Sequence, residues 1–269
     1  MTRRALLLVA SLLLAAAARP AYPATPAPGE LLVFAAASLR EVFEHLAADF
    51  ERRHQGVKVH LSFAGSQELR TQIEHGAQPD VFASADVRQM ALLRDAGLVR
   101  SPVVFTRNRP VVVVPAANPA RLATFAELPK ATRVVLGASE VPVGAYADAI
   151  LLAAAKHLGE PFRAQVVAHV CSRELNARQV LTKVVLGEAD AGIVYQSDAL
   201  AARKRVRAIP IPEPINVVAR YPIAALTAAP HPELADAWIA AVLGRAAQDA
   251  LAAAGFIPVR SATKGRGGS

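Results

Sequence analysis

The chain reads as an α/β protein of two lobes, each built from β-α-β units, joined by two hinge crossings. Three observations carry this. Short apolar runs alternate with segments whose apolar residues recur at helical spacing. Glycine closes the helical segments again and again, at Gly56, Gly76, Gly97, Gly159 and Gly187. A polar break at Thr106-Arg107-Asn108-Arg109-Pro110 is followed at once by a second series of the same kind. Strand, helix, strand in this rhythm predicts parallel strands with helices on both faces of a sheet.

In the first series, Leu31 to Ala35 is a strand, and Leu39, Val42, Phe43, Leu46 and Phe50 mark the inward stripe of a helix. Val57, Val59, Leu61 and Phe63 alternate as a strand does. A helix from Ser66 to His75, a strand at Val81 to Ala83 and a helix after Asp86 follow. In the second series, strands are expected at Val111 to Val114, Arg133 to Leu136, Gln165 to Val170 and Ala191 to Tyr195. Helices are expected at Tyr146 to Leu158 and Ala177 to Leu186. An extended run from Ile215 to Ala228 returns the chain to the first lobe, which helices at Leu234 to Leu243 and Ala246 to Ala254 complete. The boundaries are residues 30–108 with 222–259 for lobe I and 109–221 for lobe II. Two crossings between two lobes make a hinged clamp.

The ends read differently. Thr2-Arg3-Arg4 and the apolar stretch from Ala5 to Ala18 have the charged start and roughly 15-residue core of a secretory signal, too short for the about 20 residues of a membrane span. Cleavage is expected between residues 18 and 24, and residues 260–269 read as a disordered tail. About 240 residues remain, enough to bury a core. The one cysteine, Cys171, cannot form an internal disulfide and reads as a buried small hydrophobe.

The formal charge of +8 falls by two when Arg3 and Arg4 leave. Much of the rest is scattered, or lies in Arg203-Lys204-Arg205 and the tail, without interleaved aromatics, so a solvated surface is favoured over nucleic-acid binding. A positive field still steers small anions. The histidines show no metal-ligand spacing. Asp86 with Gln89 reads as a capping box, and Asp80 before an apolar strand as a buried scaffold carboxylate, rather than as a metal pair.

Two serines stand out. Ser38 and Ser66 each fall where a strand ends and a helix begins, and the small residues Ala35-Ala36-Ala37 and Ala64-Gly65 before them would let a ligand reach the backbone. Helix N-termini at strand ends are anion sites in open α/β sheets. Each serine also has a plainer reading: Ser38-Leu39-Arg40-Glu41 is a capping box, and Ser66 is a simple N-cap.

Five segments decide between these: Phe34-Ala35-Ala36-Ala37-Ser38-Leu39, Phe63-Ala64-Gly65-Ser66, Pro79-Asp80-Val81-Phe82-Ala83-Ser84-Ala85-Asp86, Val141-Pro142-Val143-Gly144-Ala145-Tyr146-Ala147 and Gly192-Ile193-Val194-Tyr195-Gln196-Ser197-Asp198-Ala199. In this order the chain resembles the periplasmic molybdate-binding proteins of ABC uptake systems, from about Leu31 to Val259. The resemblance implies the two-lobed periplasmic-binding-protein fold and a molybdate or tungstate ligand, with no cofactor and no free metal cation. It also implies a monomer working with an ABC permease and its ATPase. Carried over by position, it implies Ser38 and Ser66 as hydroxyl and backbone donors, the backbone N–H groups of Val143 and Ala177, and the phenol of Tyr195. Val143 stands where alanine is common in that pattern, and Ala177 where valine is common. Another tetrahedral oxyanion, sulfate or phosphate, is the alternative within the class. A secreted serine hydrolase is the alternative outside it, although neither serine lies in Gly-x-Ser-x-Gly.

Overall fold

The computed structural model describes residues 29–259, so the expected signal (residues 1–24) and tail (residues 260–269) lie outside the described residues. In chain order the elements begin with β1 (Glu30–Ala36), a 3-10 turn (Ala37–Leu39), α1 (Arg40–Arg53), β2 (Lys58–Ala64), α2 (Ser66–Glu74), β3 (Val81–Ala83), α3 (Val87–Asp95) and β4 (Val99–Asn108). The chain then crosses to β5 (Pro110–Pro115), β6 (Val134–Gly137), α4 (Pro142–Leu158), α5 (Glu160–Ala168), β7 (Val170–Glu174), α6 (Ala177–Val185), β8 (Ala191–Tyr195), α7 (Gln196–Ala201) and β9 (Val206–Pro210). It returns through β10 (Ala219–Leu226), α8 (Pro232–Leu243), α9 (Arg245–Ala253) and β11 (Ile257–Pro258).

Two sheets result, in the orders β11-β4-β10-β3-β1-β2 and β7-β6-β8-β5-β9. The expected parallel core is there: β1 pairs in parallel with β2 and β3, and β6 with β7 and β8. The crossing strands run the other way, β10 against β3 and β4, and β5 against β8 and β9. A strand that enters a sheet from the neighbouring lobe arrives at the hinge end and has no crossover helix to reverse it.

Apolar residues on both faces of each sheet are covered. In lobe II, Val112 and Val114 pack with Phe125, Ile150 and Ile193, while Val111 and Val113 turn to Val180, Leu181 and Val184. This is why those strands read as unbroken apolar runs. In lobe I, Phe43, Phe50 and Trp238 form an edge-to-face cluster on one side, with centroids 5.7 and 5.4 Å apart. Phe34, Phe82, Leu69 and Met90 fill the other side.

Several expectations are corrected. Residues 165–168 are helical, not strand: Pro161 starts α5, and Phe162 and Val166, one turn apart, face Phe125 and the lobe II core. The strand begins at Val170. It is an edge strand, so Cys171 is exposed rather than buried, with its thiol 3.4 Å from the Val134 carbonyl. The long Ala-rich helix starts at Pro142, four residues before Tyr146, because proline suits the first helical position. The return crossing precedes Ala219, since Ala219, Arg220 and Tyr221 already pair with Asn108, Arg107 and Thr106. The stretch from Thr106 to Asn108, expected as a polar break, is the end of β4, and β9 is a strand that the spacing does not predict. Asp80 is fully buried and accepts from Leu32 N (2.8 Å) and His231 N (2.7 Å), a stitch between β1 and the start of α8.

Candidate functional site

Ser38, Ser66, Val143, Ala177 and Tyr195 line one small cavity between the lobes, of about 20 Å³. Pockets for drug-sized ligands run to about 300–1,000 Å³, so a space this small suits only a compact ion. Its remaining lining is Ala36, Ala37, Ala64, Gly65, Ala85, Val141, Pro142 and Asn176, so no charged side chain and no histidine lines it.

The local chemistry follows from how the chain arrives. β2 ends at Ala64, Gly65 takes the N-cap position, and Ser66 opens α2. Ser66 is therefore the first helical residue and not the cap. The Gly65 N–H is met by the Glu68 carboxylate at 2.8 Å, which leaves the serine hydroxyl for other work. Ser66 Oγ accepts the Ala85 N–H at 3.0 Å, so its own proton is directed elsewhere. Gly65 has its own constraint: a Cβ there would meet the Leu175 carbonyl of the facing lobe at 2.4 Å.

Ser38 is not the N-cap of α1 either. It sits in the 3-10 turn, Leu39 precedes the helix, and the Ser38 side chain makes no cap bond. Its Oγ instead lies 2.9 Å from the Tyr221 hydroxyl, with both residues buried. Glu41, the acid of the expected capping box, pairs across the cleft with Arg178.

From lobe II, α4 and α6 point their N-termini at the cavity, with Val143 in the first turn of one and Ala177 opening the other. First-turn N–H groups have no partner within their own helix, and the helix dipole adds positive potential. Gly144 lets α4 come close, because a Cβ there would lie 1.9 Å from the Ala138 carbonyl. Tyr195 ends β8; its hydroxyl is buried and has no hydrogen-bond partner within the described residues. Burial, with Tyr221 and Tyr146 nearby, pushes this phenol well above the usual tyrosine range, so it stays a neutral donor.

Contacts between the lobes close over the cavity. Gln67 Nε2 donates to the Leu175 carbonyl at 2.8 Å, and Arg88 and Gln89 donate to the Glu140 carbonyl at 2.7 and 3.2 Å. Arg178 bridges Glu41 of lobe I and Asp198 of lobe II, its Nε 2.8 Å from Asp198 Oδ1 without an aligned N–H. Asp198 is fully buried, and burial outweighs Arg178 and the Tyr195 N–H to push its carboxyl up to about 6. Spacing alone did not reveal Gln67, Gln89 or Tyr221. Gln67 looks like an ordinary helix-surface residue, Gln89 reads only as the capping partner of Asp86, and Tyr221 lies far from Ser38 in sequence. Among the described residues no group of three or more His, Cys, Asp or Glu could hold a metal ion.

The chain matches the family model "Bacterial extracellular solute-binding protein" over residues 31–257. It is 39% identical over 255 residues to the molybdate-binding protein ModA of Mycobacterium tuberculosis (strain ATCC 25618 / H37Rv), covering 93% of this chain and 94% of that one. Among solved structures, the periplasmic molybdate-binding protein of Azotobacter vinelandii superposes with a TM-score of 0.75 at 19% identity, covering 86% of this chain and all of that one. The sulfate-binding protein SubI of Mycobacterium tuberculosis H37Rv superposes with a TM-score of 0.76 at 24% identity, over 87% and 88% of the two chains. The structural likenesses concern the fold alone, which carries more than one anion.

Proposed function

The chain belongs to the bacterial extracellular solute-binding proteins, and from that premise we propose that it captures molybdate, and tungstate with it, between its two lobes. It acts as a periplasmic monomer that hands the oxyanion to an ABC permease and its ATPase, and it is a carrier rather than an enzyme. Among the described residues no helix is long and apolar enough to cross a membrane.

One observation carries the reading: the cavity offers donors and no charge. The Ser38 and Ser66 hydroxyls and amides, the Val143 and Ala177 amides and the Tyr195 phenol are the holding groups. At about 1.5–3 kcal/mol for each hydrogen bond to a charged partner, about seven such donors give a gross 10–20 kcal/mol. Closure and lost translational freedom subtract from that, leaving room for nanomolar binding near −12 kcal/mol. A donor-only site also gives a protonated oxyanion nowhere to place its proton. It selects a fully ionised tetrahedral dianion at neutral pH.

Calorimetry with sodium molybdate on the purified protein in sulfate-containing buffer tests this. The expected outcome is a tight 1:1 complex that sulfate does not displace; no complex, or equal competition by sulfate, overturns it.

A further inference from the structure

Tyr221 lies at the point where the two lobes and the cavity meet. It sits on β10 just after the return crossing, opposite Thr106 of β4, and is fully buried. Its hydroxyl is 2.9 Å from Ser38 Oγ. Its ring meets that of Tyr195 edge-on, with centroids 5.7 Å apart and planes at 73°. Tyr221 therefore touches a ligand-facing group from each lobe, without itself lining the cavity.

The direction of the Tyr221–Ser38 bond follows from the two hydroxyls themselves: a phenol, with an ordinary pKa of about 10, is far more acidic than an aliphatic hydroxyl and is the better donor of the pair. Once Ser38 Oγ has accepted, its own proton must go elsewhere, and the cavity is there.

We propose that Tyr221 is a positioning residue of the anion site, donating its phenolic proton to Ser38 Oγ so that the serine hydroxyl is held as a donor toward the oxyanion. The proposal rests on the oxyanion-binding reading and deepens it. Ser66 reaches the same state through the Ala85 N–H, a backbone group that can only donate. A lone serine hydroxyl turns to suit either a bare oxygen or an O–H. With one lone pair engaged by Tyr221 and its proton aimed at the cavity, it meets the ligand as a donor, which makes Tyr221, though outside the cavity, a determinant of the preference for a fully ionised ligand.

Tyr221→Phe, Ser38→Ala and the double variant, titrated with molybdate and separately with inorganic phosphate near neutral pH, test this. Phosphate keeps at least one proton there. In Tyr221→Phe the freed Ser38 hydroxyl can accept that proton. Molybdate affinity is expected to fall by about tenfold and the molybdate-to-phosphate ratio by at least as much. In the Ser38→Ala background the same change should shift either affinity by less than about twofold, because Tyr221 acts through Ser38. An unchanged ratio in Tyr221→Phe, or an undiminished effect without Ser38, overturns the proposal and reduces Tyr221 to packing. Should Tyr221→Phe fail to fold, Tyr221→Met removes the same hydroxyl from the same buried position; the ratio must again narrow, and an unchanged ratio is equally fatal. Wild-type protein that takes up no molybdate overturns the functional reading and this one with it, whereas molybdate binding that weakens in Ser38→Ala but not in Tyr221→Phe overturns this one alone.

Discussion

The two lobes meet the same cavity with different chemistry. Lobe I brings side-chain hydroxyls, Ser38 and Ser66, each with its accepting side engaged by a neighbour. Lobe II brings the N-termini of α4 and α6, whose first-turn amides belong to the backbone, and a single phenol. A hydroxyl donor is lost with one side-chain change, while an amide donor persists through any substitution that leaves the helix in place. Substitutions in lobe I should therefore remove binding energy, and substitutions in lobe II should mostly reshape the space.

The strongest test of that contrast is to remove both hydroxyls. Ser38→Ala with Ser66→Ala deletes two donors to a charged ligand at about 1.5–3 kcal/mol each, which lowers molybdate affinity by at least about a hundredfold. Because neither serine serves as a side-chain cap, the cap loss of about 1 kcal/mol that such a change often carries should be absent. Calorimetry and a urea melt on the same samples would separate the two effects. A large loss of stability with little loss of affinity would make the serines structural.

Next in size is a pH effect that distinguishes the two carboxylates holding Arg178. Glu41 of lobe I is exposed, while Asp198 of lobe II is fully buried with its carboxyl pushed up to about 6 by burial. A carboxyl whose pKa is higher in the folded state binds its proton more tightly there, so its contribution to stability is largest in acid. That contribution declines as pH rises from about 4 to about 6, by up to about 3 kcal/mol in all. The difference in unfolding free energy between wild type and Asp198→Asn should shrink across that window and be flat above it. A difference that grows with pH would mean that Arg178 more than repays the burial of the charge.

How much of this was legible in the sequence follows the same division. The serines could be read because a hydroxyl donor needs its own residue type, set off by small neighbours at a strand end. Val143 and Ala177 show no such signal, since an amide donor leaves no trace in side-chain identity; their positions came through the motifs around them. The parallel strands and the helices between them were visible in spacing and glycine stops. β4 and β9 were not, because charged residues on a hinge or edge strand look like a loop. Residues 165–168 misled because Val166 and Val167 favour strands locally, while tertiary packing of Phe162 and Val166 decided for helix. Tyr221 reads only as part of a return strand, and no local pattern links it to Ser38.

Tyr195 is the exception that sharpens the contrast, the side chain of lobe II assigned to hold the anion. A buried hydroxyl without a partner costs about 1–3 kcal/mol, so Tyr195→Phe should leave the ligand-free protein as stable as wild type or more so. The same change removes a donor to the anion and lowers affinity by about tenfold or more. Thermal melts with and without molybdate would read both signs at once, the melting temperature steady or raised without ligand and the ligand-induced shift reduced. A lower melting temperature without ligand would show that the phenol has a partner in the protein.

The smallest expected effect bears hardest on the backbone half of the site. Val143→Ala removes side-chain volume beside the cavity but leaves the amide, the Pro142 that starts α4 and the Gly144 that seats it against Ala138. If the amide is the working group, molybdate affinity should change by less than about threefold, a few tenths of a kcal/mol. Discrimination between molybdate and the smaller sulfate is where the added space should register. An affinity loss as large as that of a single serine would mean that lobe II, like lobe I, works through its side chains. The contrast between the lobes would then fail at the position where it makes its most specific claim.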